Sequence, residues 1–168
     1  MTLDHLNALG DSAFVATLAG IFEHSPWVAE GVLRLRPFDT VEALHEAMCA
    51  VVADAGPAAQ LALIRAHPQL AGKAAIAGEL TVASGLEQSG AGLLHCSPAE
   101  YARLTELNAA YQQRFGFPFI LAVRGHDRAS IIANLASRLG SEPALEHAEA
   151  LRQIGRIAAF RLRDLLSG

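Results

Sequence analysis

Two residues in this chain have the type and setting to move protons. His67 sits in Ala66-His67-Pro68-Gln69-Leu70-Ala71. Glu87 sits in Ser84-Gly85-Leu86-Glu87-Gln88-Ser89-Gly90-Ala91-Gly92-Leu93. Both stretches are otherwise made of small, apolar or neutral polar residues. An imidazole changes charge near neutral pH. A carboxylate accepts a hydrogen bond, or holds a proton once it is desolvated. One of each delivered to a single pocket is the minimum equipment for general acid–base chemistry.

Each residue also has a purely structural reading. Ser84-Gly85-Leu86-Glu87 has the pattern of a capping box, in which the Glu does no more than close a helix N-terminus. A helix N-terminus also attracts an anionic substrate, so the two roles can coexist. His67, before Pro68, could simply end a helix against its dipole. Arg161, between Phe160 and Leu162, reads either as a snorkelling arginine or as a grip for a carboxylate. Trp27, the sole tryptophan, reads as core.

The elements that position these groups form on a chain of 168 residues, the length of one domain with a sizeable core. Hydrophobic residues make up 52% and charged residues 18%, too apolar for disorder. The same balance predicts apolar surface buried between subunits, hence a homodimer. A net charge of −4 argues against nucleic acid as a partner. No run is long enough to span a bilayer, so no membrane is expected. Cys49 and Cys96 form no CxxC pair and read as free thiols in a reducing cytosol. The opening residues lack the positive region of a signal peptide. The seven histidines show no zinc spacing, and His45 with Cys49 gives two ligands at most, so no metal is expected. The single lysine, Lys73, and the lack of a glycine-rich phosphate loop argue against pyridoxal or nucleotide cofactors.

Helix signals recur and strand signals are nearly absent, so the chain reads as all-α, a single-domain multi-helix bundle over residues 1–168. Asp11 is expected to cap a helix to about residue 23. Ser25-Pro26 opens one to about residue 35. Thr40 caps the next, with Val41, Leu44, Met48, Val51 and Val52 in its stripe. Gly56-Pro57 opens a helix that ends at His67, because Pro68 disfavours helix in the residue before it. Ser97-Pro98-Ala99-Glu100 is a capping box whose helix turns Tyr101, Leu104, Leu107 and Tyr111 inward and stops near Gly116. Asp127 caps a helix closed by Gly140. The last helix spans about 142–166.

Residues 115–123, Phe-Gly-Phe-Pro-Phe-Ile-Leu-Ala-Val, break the helical period and read as a short extended segment. Inside an all-helical domain its backbone N–H and C=O groups need partners. A ring bearing alternating donors and acceptors, such as a ureide, would supply them.

Taken together and in order, these segments make the chain similar to the 2-oxo-4-hydroxy-4-carboxy-5-ureidoimidazoline (OHCU) decarboxylases of uric-acid degradation. The resemblance includes Trp27, Arg36-Pro37-Phe38, Ala66-His67-Pro68 and residues 84–93. It continues through Asn108-Ala109-Ala110-Tyr111 and 114–120 to Arg161-Leu162-Arg163. It implies an all-helical, cofactor-free, typically dimeric enzyme in which His67 is the catalytic acid. Pro68, Ser84 to Gln88, and Phe119, Ile120, Leu121, Ala122 and Val123 map to substrate contacts. Glu87 is expected to act with His67, and Arg161 to help hold the substrate. Gly85-Leu86 departs from the bulkier or polar residues often found there, which bears on substrate positioning. Two other readings stay open: a helical ligand-sensing or protein-binding module without turnover, and a diverged ureide-processing enzyme.

Overall fold

The computed structural model describes residues 1–72 and 78–167; Lys73 and Gly168 lie outside them. The chain forms two compact units. The first combines Met1–Ala66 with Ile154–Gly168, and the second is His67–Gln153. Among the described residues there is no strand. No single helix among them is long and apolar enough to cross a membrane.

The first unit holds α1 (Leu3–Ala8), α2 (Asp11–Leu18), α3 (Pro26–Val32), α4 (Val41–Asp54) and α5 (Pro57–Ala66). A 3₁₀ turn, Leu33–Leu35, extends α3. Sequence reading missed α1, and α2 stops at Leu18, well short of residue 23. Gly10, not Asp11, is the N-cap of α2, so Asp11 is its first residue, where its charge still favours the helix dipole. Thr40 caps α4 as expected, its Oγ1 accepting from Ala43 N at 3.0 Å. The stripe Leu44, Met48 and Val52 is buried, together with Phe14, Leu18, Val28 and Val32. Gly31 permits the approach of α3 to α4, since a Cβ there would stand 2.7 Å from Val51 Cγ1. Trp27 is half-buried.

The second unit holds α6 (Val82–Gly90), α7 (Pro98–Phe115) and α8 (Arg128–Arg138). A last helix, α9 (Pro143–Leu166), gives its residues through Gln153 to this unit and the rest to the first. Ser97 and Glu100 form the full capping box of α7. Gly116 ends that helix at φ +74°, a conformation that suits glycine. Leu104, Leu107 and Tyr111 face inward, but Tyr101 does not: it is 39% exposed, in the first turn of the helix, where it borders an open cleft. Asp127 caps α8, which ends at Arg138. Tyr111 packs on Phe115, Phe119 and Phe117 at centroid distances of 4.6, 5.5 and 6.0 Å. Such aromatic pairs each contribute roughly 0.5–1.5 kcal/mol beyond area burial.

Candidate active site

The start of α6 settles the structural reading of Glu87. Thr81 is the N-cap, and its side chain accepts from Ser84 N at 3.3 Å. Ser84 is therefore the third residue of the helix, and the expected Ser84–Glu87 capping box does not form. Glu87 lies in the middle of α6, too far along to satisfy an N-terminal donor. Spacings of three and four put Ser84, Glu87 and Gln88 on one face of the helix. Ser84 and Gln88 are buried, at 4% and 2% exposure, and Glu87 is half-buried. Val82 and Leu86 take the other face and are exposed at 81% and 70%.

His67 begins the loop after α5, where Pro68 stops the helix. The imidazole is buried, at 6% exposure. The loop is held by side-chain amides from two helices. Gln88 Oε1 accepts from Ala71 N at 2.9 Å, and Gln88 Nε2 donates to Gln69 O at 3.3 Å. Asn108 Nδ2, on α7, donates to Leu70 O at 3.0 Å. Three successive loop residues are thereby pinned just past His67-Pro68. Ala71 has φ +51°. That left-handed conformation costs a non-glycine residue roughly 1–2 kcal/mol, and the Gln88 and Asn108 bonds at Ala71 and just before it hold the loop there.

Residues 117–123 are irregular, and 119–123 are buried at 1–5% exposure. Part of their backbone demand is met by the protein itself. Arg138 Nη1 donates to Ile120 O at 2.6 Å. Gln153 Oε1 accepts from Ala122 N at 3.0 Å. Val123 O accepts from His126 N at 2.9 Å. Arg138 is fixed in turn: its Nε donates to Glu146 Oε1 at 2.7 Å, and its guanidinium lies 4.5 Å over the Phe119 ring. Tyr111 donates to the same Glu146 oxygen at 2.5 Å. Burial, and then this hydrogen bond, push the Tyr111 hydroxyl far above its ordinary range, so it stays a donor.

His67, Pro68, Ser84, Glu87, Gln88 and 119–123 all belong to the second unit. Arg161 belongs to the first. It is not a snorkelling arginine: its side chain is 7% exposed, and Nη1 donates to Glu23 Oε2 at 2.8 Å and to Gly20 O at 3.1 Å. A cleft of about 640 Å³ opens in the second unit beside the pinned loop. Its wall includes Gln69, Ala71 and Gly72 from the loop, and Thr105, Asn108 and Gln112 from α7. His67 and Glu87 are not part of that wall.

Sequence reading placed Tyr111 in the core and gave no site role to Asn108, Arg138, Glu146 or Gln153. Asn108 carried a usable signal, a lone amide on the apolar stripe of Leu104, Leu107 and Tyr111. Arg138, Glu146 and Gln153 carried none, since charged and amide residues at helical spacing usually face water.

The chain has clear relatives. A profile described as OHCU decarboxylase matches residues 7–163. The 2-oxo-4-hydroxy-4-carboxy-5-ureidoimidazoline decarboxylase of Haloferax volcanii is 40% identical over 167 residues, covering 99% of this chain and 97% of that protein. The uric acid degradation bifunctional protein PucL of Bacillus subtilis is 42% identical over 166 residues, and this chain spans 33% of its length. Among solved structures, an (S)-allantoin synthase superposes with a TM-score of 0.81 at 30% identity, covering 99% of this chain and 54% of that one. An OHCU decarboxylase solved in the presence of (S)-allantoin has a TM-score of 0.73 at 22% identity, covering 90% of this chain and 99% of that one, a likeness of fold. With the all-helical fold in place and the profile spanning nearly the whole sequence, this chain belongs to the OHCU decarboxylase family.

Proposed function

We infer that this protein decarboxylates OHCU to (S)-allantoin, a carboxy-lyase step of uric-acid degradation. The observation that carries the reading is the Gln88 clamp. It ties the loop after His67 to the helix turn that bears Glu87. The Thr81 cap supports it, because the side chain that caps the helix N-terminus is that of Thr81 and not the Glu87 carboxylate.

The chemistry suits two residues and no cofactor. The substrate carries a carboxylate and a hydroxyl on one ring carbon. As the bond to the carboxylate breaks, its electron pair enters the adjacent C=N, and CO₂ leaves. Glu87 accepts a hydrogen bond from the hydroxyl, and its negative charge disfavours the neighbouring carboxylate in the ground state. His67 then protonates the resulting carbon nucleophile from one face, which sets the handedness of the product, while the hydroxyl becomes the ring carbonyl and its proton passes to the ring nitrogen that took the electron pair. Pro68, Ser84, Gln88 and the 119–123 segment hold the ring and its ureido arm.

Circular dichroism of freshly prepared OHCU, with and without the protein, tests this. Faster decay and an optically active product are expected. An optically inactive product at the spontaneous rate overturns the reading and favours a module that binds without turnover.

The same reading carries a cytosolic location and a homodimer. The free thiols Cys49 and Cys96 support the first. The exposed Val82 and Leu86, one turn apart on α6, support the second. Light scattering at micromolar protein should report twice the chain mass, and a monomer would count against the dimer. Cell fractionation tests the location.

A further inference from the structure

The buried segment at 119–123 has its backbone divided between two claims. Ile120 C=O and Ala122 N–H are taken by side chains, Arg138 Nη1 at 2.6 Å and Gln153 Oε1 at 3.0 Å. Between and beside them lie the C=O of Phe119 and the N–H and C=O of Leu121, in a stretch that belongs to no helix. No hydrogen bond between described residues engages the backbone of Phe119 or Leu121. Both residues are buried, at 1% and 5% exposure, where backbone groups need partners.

The side chains that take the first set are themselves locked. Gln153 is an amide with two ends: Oε1 faces Ala122 N, and Nε2 donates to Glu149 Oε1 at 2.7 Å. Glu149 is clamped by both Arg152 Nε and Nη2, each at 2.7 Å. That chain of bonds fixes which end of the Gln153 amide meets the segment. Arg138 is fixed by Glu146 and by its stacking on Phe119.

We propose that Gln153, supported by Glu149, and Arg138 are positioning residues that orient the 119–123 backbone so that the Phe119 and Leu121 groups meet the substrate's ureido donors and acceptors. This rests on the reading of the segment as a substrate contact. Gln153 and Arg138 touch the segment and not the reacting atoms. Their effect falls on how well substrate is held and only secondarily on the chemical step.

The test is steady-state kinetics on OHCU with the full chain. Gln153→Leu removes the acceptor and should raise KM about tenfold, the worth of one buried hydrogen bond, with a smaller fall in kcat. The exchanged pair Glu149→Gln with Gln153→Glu keeps an acceptor at Ala122 N and a donor facing it, and should bring KM back toward wild type. A general loss of folding would lower the active fraction and leave KM unchanged. If Gln153→Leu does not fold, Gln153→Met, of similar length and without the acceptor, takes its place. Arg138→Lys keeps the charge and loses the fork, and should also raise KM. Wild-type KM in a folded Gln153→Leu or Gln153→Met variant, or an exchanged pair with KM as high as the single variant, overturns the proposal. Failure of the wild-type chain to convert OHCU at all is a different outcome, and overturns the reading of the activity instead.

Discussion

Asn108 and Tyr111 stand one turn apart on the buried face of α7, and each holds a different segment of the candidate site. Asn108 donates to Leu70 O in the loop after His67. Tyr111 donates to Glu146, which carries Arg138 and through it Ile120 O. Three residues of helix rise by about 4.5 Å. The spacing of the two segments is thus set by a rigid element, and movement of α7 would carry both.

His67→Asn should lower turnover at least about a hundredfold, the low end of what a positioned general acid contributes. Asparagine tolerates a helix end, so the melting temperature should stay near wild type. Dichroism-monitored initial rates and a thermal melt measure both. Full turnover in a folded His67→Asn protein would remove the imidazole from the mechanism.

Glu87 and Thr81 separate catalysis from capping on the same helix. Thr81→Ala should cost about 1 kcal/mol of stability and leave the chemistry largely intact. Glu87→Gln should do the reverse, holding stability while activity collapses. Urea unfolding alongside rate measurements distinguishes them. Near-normal turnover in Glu87→Gln would leave His67 acting alone.

The pinned loop makes two opposite stability predictions. Asn108→Leu leaves the Leu70 carbonyl buried without its donor, which should cost about 1–3 kcal/mol. Ala71→Gly relieves the positive φ and should be neutral or stabilising by up to about 1 kcal/mol. Denaturant midpoints check both. A clearly destabilised Ala71→Gly protein would mean that the loop conformation is not strained.

Acid stability should depend on Glu149. The hydrogen bond from Arg152, aided by that from Gln153, pulls its pKa from 4.5 to about 2. The folded value lies below the unfolded one, so the group stabilises the fold above pH 4.5 and that contribution is lost as pH falls toward 2. Glu149→Gln should therefore flatten stability against pH across this window. Thermal melts at intervals between pH 6 and 2 measure it, and an unchanged acid limb in the variant would refute it.

Much of the fold was legible because its signals are local. Pro98 and Glu100 after Ser97, Thr40 before Val41, and Gly116 after Phe115 each act within one helical turn, so short stretches of sequence carry them. Residues 67 and 84–88 stood out as candidates for a related reason, since a histidine before proline and a glutamate among small residues are conspicuous in any reading. Where two local signals competed, sequence chose wrongly. Thr81 and Ser84 are both N-cap types, and the tie was broken by burial of Ser84 and Gln88 on one face. At the start of α2 the N-cap is Gly10, one residue before Asp11.

What only the tertiary structure decided is which distant groups satisfy the irregular segments. The 119–123 backbone is met by Arg138 and Gln153, 18 and 31 residues along the chain, and Leu70 by Asn108, 38 residues away. A buried N–H or C=O must find a partner, but its sequence says nothing of where that partner comes from. The sequence by itself determined most of the helices, through their caps and prolines, and nominated His67 and Glu87 as proton-transfer groups. Packing decided the loops that present them, because their hydrogen bonds close only when helices far apart in the chain come together.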